Sequence, residues 1–202
     1  MKQASNMRPR LPAAEARSAI LQAADRLLRS DPYRDLSVDG VMAEAGLSRT
    51  IFYRHFSDLP ELVVELLREV AVDLVAVTDR LKDSISTPED LREGLRYCVE
   101  FFVVNGPLVR AVAEGAGVDI RIDRGYQGFL RHFSAALDDG LRNSKKLGLL
   151  ADLDISATAD ALNSLNERYL IRALGYSPQE DADRVLEVIW TIWSRTLFST
   201  SS

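Results

Sequence analysis

Cysteine and histidine are scarce in this chain of 202 residues: Cys98 is the only cysteine, and His55 and His132 are the only histidines. A single cysteine excludes an intrachain disulfide and a cysteine-rich metal site, and it fits a reducing cytoplasm. The two histidines are far apart, and His132, between Arg131 and Phe133, has no matching ligand spacing. Long hydrophobic runs are missing too; apolar stretches last a few residues, well short of a membrane span. The N-terminal MKQASNMRPRLP is basic but lacks the apolar stretch of a secretory signal. Sustained alternation and Asn-Gly hairpin turns are absent, so few strands are expected and no phosphate loop can follow one. No nucleophile–base pair can be assembled. The expectation is a cytoplasmic protein that is not an enzyme, with no metal, no cofactor and no membrane association.

What is present is ordinary in amount and uneven in placement. Apolar residues make up 47% and charged residues 27%, as in a soluble globular protein. The net charge is −5, yet residues 1–56 carry nine Lys/Arg against six Asp/Glu, which leaves −8 for the rest. A basic end on an acidic chain points to an anionic partner at that end.

Helix signals recur throughout. A first helix runs from Pro12 to about Ser30, with Ile20, Leu21, Ala24, Leu27 and Leu28 on one face, and Asp31-Pro32 stops it. Ser37 reads as the N-cap of a short helix ended by Gly46, and Ser48 as the cap of a second, Arg49 to Phe56. Asp58 and Glu61 open a long helix to about Ser84; Thr87-Pro88-Glu89-Asp90 opens another, ending near Asn105-Gly106. Pro107 starts a short helix, the GAG at 115–117 is a loop, and further helices cover about 118–146, 155–174 and 178–198. The expectation is an all-α protein of about nine helices: a three-helix unit over 1–56 and a larger helical domain over 57–202.

Helix, glycine turn and new cap within residues 37–56 form a helix-turn-helix pattern, in which a second helix can enter the major groove of DNA. Ser48, Arg49, Thr50, Tyr53 and Arg54 supply polar groups and hydrogen-bond donors there, with Ser37 at the supporting helix and His55 on a flanking surface. Ile51, Phe52 and Phe56 recur at helical spacing and face inward. A mixed-charge αα-corner on the surface is the plain alternative; the local basic excess and the aromatic residue on the outer face favour DNA.

The segment SVDGVMAEAGLSRTIFYRHFSDLPEL resembles the helix-turn-helix signature of the TetR family of bacterial transcriptional regulators. The resemblance implies a homodimer on a palindromic double-stranded DNA operator. By the family pattern Ser37, Ser48, Tyr53 and His55 hold phosphates or position the helix, while Arg49, Thr50 and Arg54 reach bases. The family's usual lysine is replaced by Leu59, and Arg8 and Arg10 in the N-terminal arm are candidates to compensate in the minor groove; a solvated tail is the alternative for both.

In the larger domain Asn163 and Asn166 share a helix face otherwise rich in apolar residues. Buried amides without partners cost ~1–3 kcal/mol each, so these two either bond backbone, face a seam between subunits or anchor a ligand in an apolar pocket. The stretches ALNSLNERYL and VLEVIWTIW resemble the EthR-type branch of the family. That resemblance implies a site for a small apolar ligand lined by Leu91, Gly94, Cys98, Phe102, Tyr126, Leu130, Phe133, Asn163, Asn166 and Trp193. The implied function is a ligand-responsive homodimeric repressor released from its operator by that ligand. An all-α carrier of a small hydrophobic molecule with no DNA role is the rival.

Overall fold

A computed structural model describes residues 12–84, 87–146 and 152–198, and all regular structure among them is helical. Eight α-helices follow one another: α1 Ala13–Ser30, α2 Val38–Ala45, α3 Arg49–Phe52, α4 Leu59–Ser84, α5 Pro88–Ala116, α6 Ile120–Lys146, α7 Ile155–Leu174 and α8 Ala182–Leu197. A single 3₁₀ turn, Tyr33–Asp35, joins α1 to α2.

The boundaries follow local chemistry. Pro32 pushes Asp31 into an extended conformation and stops α1. The Ser37 hydroxyl accepts from the Gly40 amide at 3.0 Å to start α2, and Gly46, at φ 67°, ends it where a side chain would be strained. Ser48 takes the N-cap position of α3 without forming the side-chain bond that a capping serine usually makes. The expected helix to Phe56 is also shorter: α3 closes at Phe52, and turn bonds carry the chain on, the Phe56 amide donating to the Phe52 carbonyl at 2.9 Å. Asp58 caps α4 through the Glu61 amide (3.0 Å), while the Glu61 carboxylate accepts from the Ser57 amide (2.7 Å) and hydroxyl (2.6 Å). Those bonds, the hydroxyl first, hold the Glu61 carboxyl below its ordinary range. Thr87 and Asp90 bond reciprocally as a capping box, and Asp154 and Asp181 cap α7 and α8; α8 therefore starts at Ala182, later than Pro178.

Eight helices replace the nine expected because α5 passes through Pro107 unbroken for 29 residues and takes in Gly115 and Ala116. Pro107 has no N–H for the Val103 carbonyl four residues back. That carbonyl instead accepts from Gln179 Nε2 at 3.0 Å, which also donates to the Leu174 carbonyl at 2.7 Å. The neighbouring Gly106 lets the end of α7 come in: a Cβ there would lie 2.6 Å from the Leu174 carbonyl oxygen. Proline and glycine mark a packing contact here, not a helix end.

One contiguous apolar core runs from Ile20 and Phe52 through Leu62, Leu108 and Ile122 to Trp193 and Leu197. Polar ties join α1 to α5 and α4, and the start of α4 to α6; beyond Arg17–Glu65 (2.7 Å) and the bonds from Arg29 to the Val104 carbonyl and Asn105, two groups of them stand out. Arg110 on α5 is buried and donates to the carbonyls of Leu28 and Asp31, both at 3.0 Å, at the C-terminal end of α1. Its guanidinium lies 5.2 Å from the Tyr176 ring centroid, and Glu114 one turn on accepts from the Tyr33 amide at 2.9 Å. At the other place Arg121, at the start of α6, pairs with Asp119 (2.9 Å) and with the α4 cap Asp58 (2.8 Å); those hydrogen bonds raise its pKa. Leu59, beside that cap, packs against the core.

Candidate nucleic-acid interface and interior cavity

The turn at Gly46 sets α3 across α2, and Phe52 and Phe56 are buried beneath it. Ile51 is half-buried, so the apolar side of this segment faces inward as its spacing predicts. Ser37, Ser48, Arg49, Thr50, Tyr53 and Arg54 are all exposed on the outer side, and His55 is half-buried. Arg8 and Arg10 lie outside the described residues.

Three of the outward groups form a unit. Arg49 Nη1 pairs with Asp39 Oδ1 at 2.6 Å, and Nη2 donates to Tyr53 Oη at 3.0 Å. The guanidinium also lies 5.6 Å from the Tyr53 ring centroid. The bonds to Asp39 first, and then to Tyr53, raise the Arg49 pKa further, so it is cationic at any working pH. Tyr53 is 52% exposed and joins this unit to the buried Phe52 by an edge-on ring contact of 5.3 Å. Asp39 does not stand out in the sequence, where an acidic residue in a helix's first turn reads as a helix-dipole partner.

A cavity of about 80 Å³ lies between α5, α6 and α7. Of the residues expected at a ligand site, Cys98, Phe102, Leu130, Asn163 and Asn166 line it. Leu91, Gly94, Tyr126 and Trp193 are buried but do not line it, and the Phe133 side chain is outside the described ones. The two asparagines differ in use. Asn166 Oδ1 accepts from Trp193 Nε1 at 3.0 Å, a buried bond that ties α7 to α8. Asn163 Nδ2 donates to Ser134 Oγ at 3.0 Å, while its buried Oδ1 has no hydrogen-bond partner among the described residues.

Residues that sequence reasoning missed complete the lining: Phe129, Ser134, Ser164, Glu167 and Leu170. Glu167 Oε1 accepts from Tyr126 Oη at 2.6 Å, and burial, then that bond, pushes the Tyr126 hydroxyl well above the usual tyrosine pKa. Burial likewise raises the Cys98 thiol, which stays protonated. Phe129 also borders an open furrow of about 740 Å³ between α4 and α6. Among the described residues no group of three or more His, Cys, Asp or Glu could hold a metal ion, and no helix is long and apolar enough to cross a membrane.

A glycine-turned helix pair with an exposed basic-aromatic face, set on a helical bundle with its own cavity, defines a DNA-binding regulator of the helix-turn-helix class. Residues 20–66 match the family model for bacterial regulatory proteins of the tetR family. The chain is 27% identical over 187 residues to the HTH-type transcriptional regulator EthR of Mycobacterium tuberculosis (strain ATCC 25618 / H37Rv), covering 89% of this chain and 86% of that one. Solved structures of the same fold include the TetR family transcriptional regulator PfmR from Thermus thermophilus, with a TM-score of 0.74 at 21% identity over 92% of this chain and 97% of that one. A transcriptional regulator from Saccharomonospora viridis, solved in complex with choline, gives 0.72 at 21% identity over 93% of this chain and all of the other. Residues 20–66 thus carry a tetR-family regulatory region, and over most of its length the chain is similar to transcriptional regulators of that family.

Proposed function

We propose that the chain is a homodimeric repressor whose residues 1–56 bind a palindromic operator and whose residues 57–202 dimerise and bind a small ligand in the α5–α7 cavity. The observation that carries the DNA reading is the exposed Arg49–Tyr53 unit braced on a buried Phe52. In this reading Arg49, Thr50 and Arg54 meet base edges, Ser37, Ser48, Tyr53 and His55 meet phosphates, and Arg8 and Arg10 of the arm serve the minor groove. Dimerisation through α7 and α8 is supported by apolar side chains left outward there, Leu165 at 40% and Val188 at 37% exposure. The relative named as an HTH-type transcriptional regulator supports the DNA-binding role.

The test is salt dependence on a labelled duplex selected by the protein from a random pool. Affinity should fall with a log–log slope of about −4 or steeper, since each neutralised phosphate contributes about −0.9. A chain that enriches no sequence from the pool and shows no salt slope would be a carrier, and the DNA reading would be lost.

Asp39 gives a second expectation. Its carboxylate is exposed on the face offered to a polyanion, where it costs affinity, yet it fixes the direction of the Arg49 fork. Asp39→Asn should therefore bind a random-sequence duplex about two- to fivefold more tightly and lose about tenfold in preference for the selected duplex, because an unbraced arginine reads bases less selectively. Competition titrations of the two duplexes check this; an unchanged preference would show that Asp39 does not brace a base-reading group.

A further inference from the structure

The charged inventory of the α5–α7 cavity is one-sided, beside serine hydroxyls and asparagine amides that can both donate and accept. Among the described residues lining it Glu167 is the only charged one, and no lysine, arginine or histidine is present. Asn163 Oδ1 is a buried acceptor with no partner among the described residues, its amide nitrogen being used on Ser134. Glu167 is a second acceptor, held toward α6 by the Tyr126 hydroxyl. A buried acceptor left unpaired is costly, and a ligand that supplies a donor relieves that cost. A ligand that brings its own negative charge meets the Glu167 carboxylate, and among the described residues no cationic side chain lines the cavity to receive it.

We infer that the cavity selects its ligand by charge: the buried end of the ligand is a neutral or cationic hydrogen-bond donor, such as an amide or an ammonium, received by Asn163 Oδ1 and Glu167, and carboxylates are rejected. This rests on the cavity being the ligand site and adds the chemical class of what enters it. The apolar part of the ligand then lies against Phe102, Phe129, Leu130 and Leu170. The protonated Cys98 thiol adds no second negative charge to the site.

The class is tested with four probes of matched small size and different ends: butyramide, n-butylammonium, butyrate and 2-pentanone. Binding to the full chain is measured by calorimetry and by thermal shift. Butyramide and butylammonium should bind at least about tenfold more tightly than butyrate, with the acceptor-only ketone also below the amide. Glu167→Gln should bring butyrate to within about threefold of butyramide, since the amide oxygen can still accept from Tyr126 while the charge is gone. Asn163→Leu should weaken butyramide about tenfold and leave the helical circular dichroism unchanged. Butyrate or 2-pentanone binding the wild type as tightly as the donors would overturn the charge class and leave the cavity as a ligand site. Binding of none of the four would remove the cavity as a ligand site, and the inference with it.

Discussion

Arg49→Ala should weaken binding to a duplex selected by the wild type by roughly tenfold to a hundredfold, with the random-sequence affinity falling far less. A bidentate arginine contact to a base is worth about 1–3 kcal/mol of discrimination, which is the range expected here. Tyr53→Ala should cost a similar factor by a different route. It removes the hydroxyl that receives Arg49 Nη2 and the ring against which the guanidinium lies, so it acts on Arg49 as well as on the backbone contact. The double variant should then lose less than the sum of the two, because both single changes disable one unit. Anisotropy titrations on both duplexes measure this, with circular dichroism as the check on fold; Arg49 and Tyr53 are exposed, and neither supports the core. Additive losses, or full specific binding in both variants, would take the recognition role away from this pair.

The second large effect concerns stability. Arg110→Leu should lower the unfolding free energy by about 3 kcal/mol, seen as a reduced urea midpoint at an unchanged slope. The guanidinium is the donor to two carbonyls at the end of α1, and it offsets the partial negative charge of that helix end. Leucine fills most of the volume but leaves the carbonyls of Leu28 and Asp31 without that donor, and the Tyr176 ring without its cation. Arg110→Lys keeps the charge but not the fork, and should recover only part of the loss. A loss below about 0.5 kcal/mol would mean that water replaces these bonds and that the tie between α1 and α5 is weak.

Local rules in the sequence carry the reading wherever the partners are near in the chain. Ser37 with Gly40, Gly46 at its left-handed turn, and the Thr87–Asp90 box are each settled within four residues, and all lie where the sequence puts them. Phe52 and Phe56 likewise declare their burial by spacing. Pro107 misleads because what compensates for its missing donor, Gln179, stands on the loop before α8, 76 residues from the Val103 carbonyl it serves. Ser48 misleads in the opposite direction, having the right residue type and backbone angles for a cap but no capping bond. In the cavity Asn163 and Asn166 are visible in the sequence as a pair on one face. Their division into a structural bond to Trp193 and an acceptor without a partner among the described residues depends on which helix lies opposite each amide. Ser134 and Glu167 escape notice for the same reason: a serine and a glutamate on amphipathic helices look solvated until the facing helix is known.

The unbroken passage of α5 through Pro107 gives the molecule a lever. Cys98 and Phe102 on this helix line the cavity, Arg110 grips the end of α1, and Arg92 and Arg96 near its start pair with Glu187 and Asp183 on α8. From Cys98 to Arg110 a straight helix spans roughly 18 Å, so a tilt of about 5° at the cavity moves the grip on α1 by roughly 1.6 Å. Two helices hinged at Gly106 would let that tilt die at the joint. A single rod, whose free Val103 carbonyl is taken up by Gln179 from a distant loop, carries it to the end of α1, beside the unit proposed to read DNA.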